Sequence, residues 1–131
     1  MSLKAIPVNE PFSIRGGSSV YLATLDGNRC KTMDDLFEEF ATVLKFPNYF
    51  GQNLDALFDC LTDLEWLGVD GIYLQVIHPA LFCSDESDSI TLEKFLDVFK
   101  QSLLAFEHHP IHFHLIAEKS FLQRVTHSRF A

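Results

Sequence analysis

The sequence lacks the features that mark membrane and secreted proteins. No apolar run approaches the roughly 20 residues that span a bilayer, and the first residues contain no apolar core of a secretory signal. The three cysteines, Cys30, Cys60 and Cys83, are odd in number and form no C-x-x-C pair. We therefore expect free thiols, a cytoplasmic location and no membrane partner.

The motifs of common enzyme classes are also missing. The chain has no G-x-x-x-x-G-K-[ST] phosphate loop, no G-x-G-x-x-G after a strand and no G-x-S-x-G elbow. Four histidines lie close together (His108, His109, His112 and His114), but their spacing matches no zinc pattern. We expect no catalytic residues, no metal and no cofactor. A metal-dependent enzyme that uses these histidines is the weaker alternative.

Positive charge is absent from a long central stretch. The 131 residues carry 10 basic and 18 acidic side chains, a net charge of -8, yet no Lys or Arg occurs in residues 46–93. Such a chain is repelled by polyphosphate, so direct nucleic-acid binding is not expected. Nine acids lie in this stretch, which is either a solvated face or a surface for a basic partner: Asp55, Asp59, Asp63, Glu65, Asp70, Asp85, Glu86, Asp88 and Glu93.

The hydrophobic pattern predicts one small α/β domain. Strands alternate with helices in the order β-α-α-β-α-β, which implies a three-stranded parallel sheet packed with helices. The second strand is nearly all apolar and should be buried on both faces. The apolar residues of the longest helix, from Leu92 to Leu104, should point inward.

We expect an N-terminal extension over 1–18, with a short extended piece at 12–15, and the domain over 19–131. The predicted strands cover 20–25, 71–78 (ended by Pro79) and 111–116; the helices cover 33–44 (after an N-cap at Thr32), a stretch from about 52 to 61, 90–106 and about 119–126.

The second helix has an unusual charge pattern. Asp55 and Asp59 are four residues apart and share one helix face, which costs roughly 0.2–0.5 kcal/mol in an isolated helix. Two aromatic residues, Tyr49 and Phe50, precede the helix in a loop bracketed by Pro47 and Gly51. Aromatic anchors beside steering charges are typical of protein-binding surfaces. An ordinary solvated face explains the pattern about as well.

Residues 46–62, FPNYFGQNLDALFDCLT, resemble the signature loop and second helix of the barstar family, intracellular inhibitors of the ribonuclease barnase. The predicted order of elements agrees with the barstar-like fold over roughly 19–118. The motif is long and specific, whereas the rest of the chain agrees mainly in pattern. The resemblance implies an inhibitor that plugs the active site of a basic ribonuclease and is not itself an enzyme.

The resemblance also implies roles for individual residues. Tyr49 would be the loop aromatic that covers the ribonuclease site, Phe50 would be a partner-binding residue beside it, and Gly51 would permit the tight turn into the helix. Asp59 would occupy the phosphate-binding site in place of an RNA phosphate. The remaining partner-binding residues would be Asn53, Asp55, Phe58, Thr62 and Gln101.

Two of these positions depart from the family pattern. Phe58 stands where barstar has a tryptophan, and Gln101 stands where it has a contacting glutamate. These changes suggest a different or more weakly bound ribonuclease. We expect a protein that is monomeric when free. The alternative to an inhibitor is a barstar-fold interaction module that binds a basic protein other than a nuclease.

Overall fold

The computed structural model describes residues 11–13 and 19–126, in which four strands form a single sheet. Four α-helices connect and cover the strands, and short 3-10 turns end several of these elements. In chain order the elements are β1 (Pro11–Ser13), β2 (Ser19–Asp26), α1 (Met33–Val43), α2 (Leu54–Leu61), β3 (Gly71–Ile77), α3 (Ile90–Ala105), β4 (His112–Ile116) and α4 (Lys119–Thr126).

The parallel part of the sheet confirms the predicted fold class. β3 pairs in parallel with β2 on one side and with β4 on the other. β1 adds an antiparallel strand at the β2 edge, with Phe12 opposite Val20. The predicted extended piece at 12–15 therefore falls partly in β1, and its last two residues lie outside the described part of the chain.

Helix α1 begins where the capping signal predicts. The Thr32 hydroxyl accepts a hydrogen bond from the Asp35 N–H at 3.1 Å, which satisfies one of the free donors of the first turn. A second cap comes from a distant loop, because the Met33 N–H donates to the Glu86 carboxylate at 2.7 Å. This contact fixes the acidic loop after β3 against the start of α1.

The core lies between the helices and one face of the sheet. Tyr21 and Leu25 of β2 are fully buried on this face, and the Tyr21 hydroxyl donates to the Val43 carbonyl at 2.6 Å. Phe40 contacts Phe95 and Phe99 of α3 with ring centroids about 6 Å apart. Such aromatic pairs bury large apolar areas and join α1 to α3.

Two predictions of burial were wrong. Only one face of β3 is fully buried, since Gln75 is exposed and Tyr73 and Ile77 are half-buried on the other face. Leu104 is 46% exposed although its spacing places it with the apolar residues of α3. None of the helices in the described residues is long and apolar enough to cross a membrane.

Candidate protein-binding site

The loop before α2 is held in place by aromatic packing. Phe46 is buried and meets Phe50 edge-to-face, with ring centroids 4.9 Å apart. Phe50 in turn meets Phe37 of α1 at 6.0 Å. Trp66 packs against Phe46 and donates its indole N–H to the Leu44 carbonyl at 2.9 Å. The ring of Phe50 therefore supports the loop from inside.

Tyr49 projects from this loop into solvent. Its side chain is 75% exposed, the largest exposure of any large hydrophobic residue in the described chain. Exposing an aromatic ring on an otherwise well-packed loop costs free energy in water. The arrangement presents Tyr49 as an anchor for another molecule.

The turn from the loop into α2 has a backbone held in an uncommon conformation. Gln52 has a φ of 51°, in the left-handed region that favours glycine. Gly51 lies just before it, where an added Cβ would be 3.3 Å from the Asn53 side-chain nitrogen. The resemblance assigned the tight turn to Gly51. The structure adds that the left-handed residue is Gln52 and that Gly51 leaves room for Asn53.

Asn53 is the N-cap of α2, a role that the sequence reasoning missed. Its side-chain oxygen accepts from the Ala56 N–H at 2.8 Å, and its side-chain nitrogen donates to the Gly51 carbonyl at 3.2 Å. One amide thus fixes both the first turn of the helix and the loop before it. The sequence contained a signal for this role, because Asn is a preferred N-cap residue and Asn53 stands at the start of an amphipathic helix.

Helix α2 buries one side and exposes the other. Its buried residues are Leu57, Cys60 and Leu61. Asp55, Phe58 and Asp59 lie on the exposed side. The Phe58 side chain is 36% exposed. The exposed side therefore combines two carboxylates with an aromatic ring, one turn from the loop that carries Tyr49.

Thr62 ends the helix and uses its hydroxyl within it. This hydroxyl donates to the Phe58 carbonyl at 2.8 Å, and the same carbonyl also accepts the Thr62 backbone N–H at 3.0 Å. Gln101 lies elsewhere, exposed on α3. Within the described residues no hydrogen bond or ion pair joins Gln101 to the α2 side chains.

The carboxylates of α2 have no basic partner in the described chain. The ion pairs found there join His78 to Asp26 and Arg124 to Glu93, and neither involves α2. Among residues 19–126, no basic side chain forms an ion pair with Asp55 or Asp59. An exposed, uncompensated acidic face next to an exposed tyrosine is suited to meet a basic protein surface.

Other reactive side chains do not form a site. Burial raises the pKa of the Cys83 thiol to about 11 and that of Cys30 further, so both remain protonated at neutral pH. The hydrogen bond from the Asn28 N–H is the main cause that lowers the pKa of Asp26, and the His78 ring adds to it. No group of three or more candidate metal ligands occurs among residues 11–13 and 19–126.

Comparison with known proteins shows which family and which relative this chain resembles. The model of one protein family, described as Barstar (barnase inhibitor), matches residues 20–118. A Bacillus subtilis (strain 168) protein, "Putative ribonuclease inhibitor YrdF", is 45% identical over 38 residues. That match covers 29% of this chain and 42% of the relative, so less than half of the relative's length is spanned.

Proposed function

Because the chain belongs to the barstar family of barnase inhibitors, we propose that it binds a basic ribonuclease and blocks the active site of that enzyme. Membership in a family of inhibitors agrees with the expectation that the protein is not an enzyme. The observation that carries the proposal is the exposed side of α2, where Asp55 and Asp59 have no basic partner within the described residues and lie close in sequence to the exposed Tyr49.

The mechanism is electrostatic imitation of RNA. A ribonuclease holds the phosphates of its substrate with basic side chains, and a carboxylate offers those side chains a charge-assisted hydrogen bond of the same kind. Asp59 takes the place of one phosphate. Asp55, one helical turn earlier, meets a second basic group at the edge of the same site. Tyr49 covers the mouth of the site and excludes water from the ion pairs.

The other site residues act at the margin of this contact or hold it in shape. The Asn53 cap and the Phe46–Phe50 packing keep the loop and α2 in one arrangement before binding, which reduces the entropy lost on association. Phe58 adds apolar contact between the acids. Thr62 and Gln101 contact the ribonuclease at the rim of the interface. Because Gln101 is neutral, the electrostatic attraction comes from the carboxylates of α2.

Inhibition of RNA cleavage tests the proposal directly. A barnase-type ribonuclease, and candidate ribonucleases from the same genome, are titrated with the wild-type protein and with Asp59→Asn. We expect stoichiometric inhibition by the wild type and a Kd raised at least about 30-fold in the variant, the scale of interface hot spots. Asp85→Asn is the matched control, because Asp85 is an equally exposed acid in the loop after β3.

Each outcome of this titration has a clear meaning. If Asp85→Asn weakens inhibition as much as Asp59→Asn, general charge accounts for binding and the assigned site is wrong. If no ribonuclease is inhibited, but a basic protein of another class is retained by the wild type and lost by Asp59→Asn, the chain is an interaction module on the barstar fold.

We place the protein in the cytoplasm, where it would protect cellular RNA.

A further inference from the structure

The edge of the sheet at β4 is open in the described part of the chain. β3 pairs with one side of β4, and none of the other strands in residues 11–13 and 19–126 pairs with its second side. Helix α4 packs elsewhere, since Phe121 contacts Phe82 and Phe99 in the core. Every residue of β4 is at least partly exposed, and Ile116 is 49% exposed.

The free backbone groups of this edge belong to two residues. The His112 N–H donates to the Asp70 carbonyl at 2.9 Å, which sets the alternation of the parallel ladder. His112, His114 and Ile116 therefore direct their backbone groups toward β3, and those of Phe113 and Leu115 point away from the sheet. An outward row of donors and acceptors is a template for pairing with another strand.

Nothing in the sequence of β4 blocks such pairing. Residues 110–117 contain no Asp, Glu, Lys or Arg, and the strand has no proline or bulge of the kind that protects edges. The opposite edge differs, because β1 has three residues and begins with Pro11. The protection expected of an edge strand is therefore present at β1 and absent at β4.

In place of the monomer expected from the sequence, we propose that β4 pairs weakly with β4 of a second copy of this chain in antiparallel orientation, about a two-fold axis at His114. In this register Phe113 of each copy exchanges both backbone hydrogen bonds with Leu115 of the other. His114 then lies opposite His114 of the second copy, and His112 lies opposite Ile116. The pairing joins two four-stranded sheets into one.

A second copy suits this edge better than a foreign strand for two reasons. The two-fold axis makes every hydrogen bond occur twice between identical strands, and no charged side chain of residues 110–117 is brought into the contact. Repulsion between copies is also smallest here. The acidic surplus lies in residues 46–93, whereas residues 94–131 hold five basic and three acidic side chains.

Two histidines near the two-fold axis, His114 and His112, allow a test with a matched control. His114 stacks on Tyr73 of β3 with ring centroids 4.5 Å apart, which holds the His114 ring on the exposed face of the sheet. Opposite residues in a non-hydrogen-bonded pair have Cα atoms about 4.5 Å apart. A lysine at 114 would therefore face its own copy, whereas a lysine at 112 would face Ile116.

Sedimentation of the full chain under reducing conditions tests the pairing. We expect the mass to rise from 14.9 kDa toward twice that value between about 10 µM and 1 mM, the range of a weak contact. His114→Lys should raise the dimer Kd about tenfold, and His112→Lys, the matched control, less than about threefold. A wild type that stays monomeric overturns the proposal, and so does a result in which His114→Lys is not the more damaging change. Ribonuclease inhibition is measured on the same samples and should be equal in both variants, since β4 lies outside the proposed inhibitory surface.

Discussion

At the scale of single residues, Asp59 lies where a carboxylate disfavours the folded state. It is in the last turn of α2, near the free carbonyl groups whose partial negative charge repels an acid. It also lies one turn after Asp55, which adds like-charge repulsion along the exposed side. Asp55 differs, because its place in the first turn is favoured by the helix dipole. Binding to a basic partner, as proposed above, would give Asp59 a favourable role.

The two aspartates should therefore respond differently to neutralisation. Asp59→Asn should raise the free energy of unfolding by about 0.5–1 kcal/mol, because both unfavourable terms are removed. Asp55→Asn should change it little, since the relieved repulsion is offset by the lost interaction with the dipole. Urea unfolding of the two variants and the wild type measures this difference. A destabilised Asp59→Asn protein would show that the carboxylate supports the fold, contrary to the proposed role.

At the scale of elements, the Asn53 amide joins the loop to α2. Asn53→Ala should lower the free energy of unfolding by about 1 kcal/mol, because the Ala56 N–H loses its acceptor. Asn53→Asp is the control: it keeps the acceptor and loses only the donor to the Gly51 carbonyl. Thermal or urea unfolding should rank the proteins wild type, Asn53→Asp, Asn53→Ala. Equal losses in both variants would assign the stability to the Gly51 contact instead of the cap.

Elements were predictable where a local signal marks their ends. Thr32 places the start of α1, and the helix predicted at about 119–126 agrees with α4. Burial was less predictable, because it depends on which elements cover a surface. The apolar run of β3 does not reveal that Gln75 is exposed on one of its faces, and the period of α3 does not reveal that Leu104 is 46% exposed.

The candidate site was likewise predictable only in part. All of its proposed residues except Gln101 were named from the 46–62 motif, because that stretch carries the family resemblance in sequence alone. The contacts that each residue makes within the folded chain could not be predicted from this motif. The inward packing of Phe50 and the back-bonding of Thr62 depend on Phe37, Phe46 and the course of the backbone. These contacts are set by the folded chain and leave no local signature.

At the scale of the whole molecule, the concentration of acids in residues 46–93 should accelerate association with a basic partner. Charges of opposite sign steer two proteins together over distances that salt shortens, from about 10 Å at 0.1 M to about 3 Å at 1 M ionic strength. The proposed complex should therefore form at least about tenfold more slowly in 1 M than in 0.05 M NaCl, with a smaller change in its dissociation rate. Stopped-flow mixing with the inhibited ribonuclease measures both rates.

The acids outside α2 can be separated from this effect by one further variant. Asp85→Asn combined with Asp88→Ser neutralises two exposed charges of the loop after β3 without altering the α2 surface. If these charges contribute to steering, the variant should associate two- to threefold more slowly at low salt, about the effect of losing distant charges, with an unchanged dissociation rate. A faster dissociation would instead show that the loop touches the ribonuclease, and the contact surface would then extend from α2 to the loop that caps α1 through Glu86.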